Sequence, residues 1–134
     1  RKVPLDRMIG PDRDAAFAAL KTEGVGAIAV MEGPPNVVAT PQLVPAALKH
    51  GMATVFPFRE QVAAGGLLSY GPNLVTLFRR SAHFADRILR GDKPGDLPIE
   101  RPTKYELFIN LKTAKALGVT IPATLRIQAD EVIE

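Results

Sequence analysis

Few residues in this chain have the type and spacing to do chemistry. Ser69 sits in Gly66-Leu67-Leu68-Ser69-Tyr70-Gly71, close to the Gly-x-Ser-x-Gly turn that lifts a nucleophile above a sheet. The downstream glycine fits, but Leu67 stands where the upstream one is required. That hydrolase order also places a histidine last, after the acid. The histidines are His50 and His83, and none follows. Ser81, His83 and Asp86 do not converge on one helix face. The two histidines lack a ligand spacing such as i, i+4. The chain has no cysteine, which excludes disulfides, thiolate metal sites and cysteine nucleophiles. No Gly-x-Gly-x-x-Gly or Walker loop is present, and Gly24-Val25-Gly26 and Gly65-Gly66 both precede apolar runs where a dinucleotide loop would follow one. The expectation is a protein that is not an enzyme, with no metal and no cofactor.

The same residues are better suited to binding. Glu32 and Arg59 each trail an apolar run that reads as a strand. A carboxylate and a guanidinium at a cleft rim suit the two ends of a zwitterion; the plainer reading makes both solvated loop charges. Tyr70, at another strand end, can stack on a ligand and offer its hydroxyl, or can equally belong to the core. Seventeen Lys and Arg against fourteen Asp and Glu give a net charge of +3. The basic residues are dispersed, with Arg79-Arg80 the densest pair. Phosphate recognition needs a concentrated patch, because affinity comes from releasing many counterions at once, so nucleic acid is not an expected partner.

The elements that must position these residues follow from periodicity and punctuation. At 134 residues the chain has the length of one ordinary domain. Residues 3–5 suit an edge strand and residues 12–22 a helix stopped by Gly24. The run 26–31 suits a strand buried on both faces of a parallel sheet. Residues 32–40 contain Gly33-Pro34-Pro35-Asn36 and read as loop, with Thr40 capping a helix that has Pro41 at its first position. A strand over 53–57, a short helix over 59–64 and a strand over 67–70 follow, the last broken by Gly71-Pro72. Asn73 caps the most regular helix, with Val75, Phe78, Ala82, Phe84, Ala85, Ile88 and Leu89 close to a 3.6 period and Gly91 ending it. Pro94, Pro98 and Pro102 make residues 91–102 an extended linker. A strand spans 105–109, Asn110 caps a helix over 111–117, and a last helix runs from Ile121-Pro122 towards Glu134. Strands alternating with helices predict an α/β, Rossmann-like parallel sheet flanked by helices. In such sheets ligands bind beyond the carboxyl ends of the strands. The candidate loops are therefore 31–35, 56–59 and 69–73. No 18-residue apolar run marks a membrane span. The chain opens at Arg1-Lys2-Val3 without Met, as a processed or trimmed piece would.

The second half carries a longer ordered signature. Gly65-Gly66-Leu67-Leu68-Ser69-Tyr70-Gly71-Pro72-Asn73 is followed by Arg79-Arg80-Ser81-Ala82, by Asp86-Arg87-Ile88-Leu89-Arg90-Gly91-Asp92-Lys93-Pro94 and by Pro102-Thr103-Lys104-Tyr105-Glu106-Leu107. Ile109-Asn110-Leu111-Lys112-Thr113-Ala114-Lys115-Ala116-Leu117-Gly118 and Ala129-Asp130-Glu131-Val132-Ile133-Glu134 complete it. From about Ala15 onward this resembles the ABC-transporter substrate-binding proteins, with residues 32–46 fitting least well. The resemblance implies one lobe of a bilobal, type I periplasmic-binding-protein fold. Residues 1–72 would be part of the second lobe. Residues 73–134 would be a crossover helix, linker, strand and helices returning to the lobes. It further implies capture of a small polar ligand such as an amino acid by Met31, Glu32, Phe58, Arg59, Ser69, Tyr70 and Gly71. An ABC permease would be the partner, and the full-length protein would be periplasmic or lipid-anchored outside the cytoplasm. The unpaired apolar face of the Asn73 helix would favour a homodimer or strand exchange. The alternatives are a small Rossmann-like hydrolase using Ser69 and an intracellular ligand-sensing domain.

Overall fold

A computed structural model describes residue 8 and residues 10–134; the strand expected over 3–5 lies outside them. Helix α1 (Arg13–Thr22) buries Ala16, Phe17 and Leu20. It ends because Gly24 takes φ +78°, which lets the amides of Gly24 and Val25 reach back to Lys21 and Leu20 and satisfy carbonyls the helix leaves open. Strand β1 (Ala27–Ala29) pairs in parallel with β2 (Ala53–Phe56). Among the described residues β1 is the sheet edge. Ala27 and Ala29 are exposed, so burial on both faces, expected from the apolar run, does not occur here: Ile28 and Val30 turn towards the core.

Helix α2 (Pro34–Lys49) joins β1 to β2 and corrects the loop expected over 32–40. Pro34 and Pro35 occupy its first positions, where a missing N–H costs nothing. Thr40 is no cap: its hydroxyl donates to the Asn36 carbonyl inside the helix. Pro41 and Pro45 each remove one helical hydrogen bond, yet the helix continues through both. The face carrying Ala39, Leu43, Val44 and Ala47 is buried, and tertiary packing of this kind supplies most helix stability. Helix α3 (Arg59–Ala63) then leads into β3 (Leu68–Pro72), parallel to β2. Gly71-Pro72 does not break β3, because the next strand pairs alongside both residues.

Asn73 caps α4 (Leu74–Leu89), its Oδ1 accepting from the Thr76 amide at 3.1 Å. A single 3₁₀ turn, Pro94–Asp96, interrupts the linker. Strand β4 (Tyr105–Asn110) runs antiparallel to β3, an exception to the expected all-parallel sheet. Asn110 caps α5 (Leu111–Leu117) through the Thr113 amide, and Gly118 ends it at φ +66°. The last segment is helix α6 (Ala123–Gln128) followed by strand β5 (Glu131–Ile133), where a single helix was expected. Asp130 explains the change. Its amide donates to the Leu107 carbonyl and its carboxylate accepts from the Leu107 amide, each at 2.9 Å, which clips the chain to β4 and draws Val132 and Ile133 into the sheet.

The result is one five-stranded sheet in the order β1-β2-β3-β4-β5, mostly parallel and flanked by helices. Phe17, Leu20, Leu43, Ala47 and Met52 form the core of the α1–α2 layer. Phe56, Val62, Leu67 and Ile109 are buried further along the sheet. Because β4 and β5 run against β1–β3, the carboxyl ends of the first three strands and the amino ends of the last two meet on one rim.

Candidate functional site

Arg59 is the centre of that rim. It opens α3 just after β2, with Phe58 extended before it. Its guanidinium lies 5.0 Å above the Phe108 ring of β4, close enough for a cation–π attraction. Its Nη2 donates to Oε2 of Glu131, the first residue of β5, at 3.1 Å. Both side chains remain about half exposed.

A second charged group lies at the amino ends of β4 and β5. Lys104 bridges Glu106 at 3.2 Å and Asp130 at 3.4 Å. Glu106 also accepts from Asn73 Nδ2 at 3.1 Å, which ties the start of α4 to the sheet. The Leu107 N–H, and then Lys104, hold the Asp130 carboxyl below the ordinary value of 3.8. Hydrogen bonding to Glu106, and then to Asp130, raises the Lys104 ammonium above 10.5.

The residues expected from sequence separate into two groups. Met31 and Glu32 are exposed after β1, and Asn36 fixes their loop by donating to the Met31 carbonyl at 2.7 Å. No hydrogen bond or ion pair joins Glu32 to Arg59; Glu131 takes the place opposite the guanidinium. Tyr70 is 62% exposed and stacks on Tyr105 with ring centroids 5.7 Å apart. Phe58, Ser69 and Gly71 are buried. A Cβ on Gly71 would collide with the Pro57 carbonyl, so glycine is needed there for close backbone approach. Ser69 is 1% exposed, and among the described residues its hydroxyl has no hydrogen-bond partner. Ser69 is thus buried within β3, where a nucleophile turn would lift the hydroxyl above the sheet. His50 lies against Phe17 and Asp14, and His83 against Phe84, so neither serves Ser69 as a base.

Sequence reasoning missed Glu131, Asp130, Glu106 and Lys104. The available signal was Asp130-Glu131 before the apolar pair Val132-Ile133, which marks a strand start as readily as a helix end. A concavity of about 400 Å³ between α6 and β5 is lined by Ala123, Arg126, Ile127, Val132 and Glu134; it contains none of the rim residues. Among the described residues no group of three or more His, Asp or Glu could hold a metal ion. No helix among them is long and apolar enough to cross a membrane.

Comparison with known proteins adds to this geometry. The model of a family described as ABC transporter substrate binding protein matches residues 12–133. A solved ABC domain in complex with L-Trp from Streptococcus pneumonia superposes with a TM-score of 0.83 at 26% identity, covering 98% of this chain and 43% of that one. A conserved domain protein from Vibrio cholerae gives 0.81 at 24% identity, over 89% of this chain and 40% of its own. The ligand-free, open substrate-binding protein with adhesive properties from Clostridium difficile gives 0.60 at 19% identity, over 90% and 40%. The chain thus spans about two fifths of the length of these solved relatives. No curated protein matches it.

Proposed function

The chain belongs to the ABC transporter substrate-binding protein family, and from that premise we propose that it is one lobe of a receptor that captures a small polar ligand, an amino acid in the first instance. The family is one of substrate-binding proteins rather than of enzymes, generally found outside the cytoplasm. The observation that carries the ligand reading is the rim, where Arg59 is presented between Phe108 and Glu131. It lies where ligands of open α/β sheets bind. The L-Trp complex of a relative that covers 98% of this chain supports the amino-acid class. Met31, Glu32 and Tyr70 offer exposed groups around the rim. Phe58, Ser69 and Gly71 are buried and would support the rim from within. In the longer protein the two lobes would close on the ligand by hinge motion and hand it to an ABC permease outside the cytoplasm. Residues 1–72 would then belong to the second lobe, and residues 73–134 would cross between lobes before returning.

Amide chemical-shift perturbation with millimolar amino acids tests this reading. Saturable shifts at Arg59, Phe108 and Glu131 are expected, and Arg59→Ala should weaken binding by about tenfold, the loss of one charge-assisted pair. An amino-acid mixture that moves no rim resonance would sink the reading.

Isolated from any further lobe, the chain is expected to form a homodimer, with or without strand exchange. No residue of α4 is buried, and Val75, Phe78, Ile88 and Leu89 are exposed; among the described residues β1 also offers an unpaired edge. Native mass spectrometry should show a dimer that Phe78→Asp converts to monomer. A wild-type monomer at high micromolar concentration would rule the dimer out.

A further inference from the structure

We propose that Glu131 is the second half of the ligand site: it reads an ammonium group while Arg59 reads the carboxylate, so the rim selects free zwitterions over simple anions or amines. This rests on the ligand-binding reading above and narrows its substrate class.

Both side chains of the pair carry unused hydrogen-bonding positions. The Arg59–Glu131 pair is monodentate, one Nη2 to one Oε2 at 3.1 Å. A guanidinium carries five N–H donors and a carboxylate about four acceptor positions. Among the described residues neither side chain makes another hydrogen bond. The stacking of Arg59 on Phe108 orients the fork without using its donors. The neighbouring charges differ: Asp130 is engaged by the Leu107 amide and Lys104, and Glu106 by Asn73 and Lys104. At the junction of β2, β4 and β5, Arg59 and Glu131 are the unlike pair with free positions to offer.

The pair also discriminates by what it loses. A lone carboxylate that takes Arg59 strips Glu131 of its counter-charge, and a lone amine that takes Glu131 does the same to Arg59. An unpaired charge in a closing cleft is costly. A zwitterion replaces both halves at once, with its carboxylate on the guanidinium fork and its ammonium on Glu131. The pair satisfies itself when empty and is exchanged, charge for charge, when filled. Glu131 thus acts as the specificity residue.

The test measures Kd for the intact chain by amide chemical-shift titration. The strongest binder among the twenty L-amino acids is compared with its own N-acetyl and carboxamide derivatives. Wild type should favour the free amino acid by about tenfold over either derivative. Glu131→Gln should erase the preference over the N-acetyl derivative by weakening the free amino acid, whereas Glu131→Asp should restore part of it. Unchanged fingerprint spectra show that each variant is folded. Equal affinity of Glu131→Gln and wild type for the free amino acid would overturn this inference and leave the receptor reading standing. Wild type that binds none of the twenty would overturn both.

Discussion

Residues 13–72 and residues 74–104 both contain helices with an apolar face, but they differ in what those faces touch. In the first region α1, α2 and α3 each bury a face against the sheet or one another. In the second, α4 has a clear apolar stripe and a capped start, yet buries no residue. Its side chains are held by local ion pairs: Arg90 with Asp86 at 3.0 Å, Arg87 with Asp92 at 2.6 Å, and Arg80 with Glu100. Exposed pairs of this kind contribute little. An amphipathic pattern specifies a helix and a demand for burial; it does not specify the surface that meets the demand.

The largest expected effect sharpens that contrast. Phe56→Ala removes a side chain that is 1% exposed beneath the sheet and should cost about 3–5 kcal/mol in urea denaturation. Phe78→Ala removes the same atoms from α4, where the ring is 72% exposed. In the monomer it should cost no more than about 0.5 kcal/mol. Comparable losses would mean that α4 is packed in solution, and the two regions would no longer differ.

How much of this was legible in the sequence depends on where the deciding force lies. The caps at Asn73 and Asn110 and the stops at Gly24, Gly91 and Gly118 are local, and their residues announce them. Helix α2 was half hidden because Gly33-Pro34-Pro35 reads as a loop until burial of the Leu43 face outweighs two internal prolines. Strand β5 was hidden because three residues carry no period; the Asp130–Leu107 clip that creates it spans 23 residues of sequence. Arg59 was visible at the end of β2, but its partner was not. Glu32 lies closer in sequence, and the choice of Glu131 is made by β5 joining the sheet beside β4. Ser69 read as a rim hydroxyl because it falls near a strand end; in the sheet it sits opposite Phe56 and Phe108, both buried aromatics.

The two asparagine caps give a smaller and more local comparison. Asn110 caps α5 and also donates to the Val62 carbonyl at 3.2 Å, in a buried site. Asn110→Ala loses the cap and leaves the buried Thr113 amide without its acceptor, while the Val62 carbonyl keeps the Gly65 amide, for about 2 kcal/mol. Asn73 makes the equivalent cap to Thr76 at the edge of the uncovered helix. Asn73→Ala should cost about 1 kcal/mol, appearing as faster amide exchange in the first turn of α4. Equal global destabilisation by the two variants would tie α4 to the main cooperative unit.

The smallest effect concerns the clip that adds β5 to the sheet. The Asp130 carboxyl is held below its ordinary value, first by the Leu107 N–H and then by Lys104. A group with a depressed folded-state pKa stabilises above its unfolded value, and the contribution fades as pH falls through the folded one. The loss therefore belongs below about pH 4, the ordinary range of an aspartate, and leaves neutral pH untouched. Amide exchange at Leu107 and Val132 should accelerate there ahead of β1 and β2. Asp130→Asn should remove the acid step locally, since its amide oxygen still accepts from Leu107 but no longer titrates. An acid limb shared equally by all five strands, and unchanged in Asp130→Asn, would show that β5 is held by its apolar residues, with the carboxylate a bystander. The rim of Arg59 and Glu131 would then owe its geometry to Val132 and Ile133 rather than to the charge beside them.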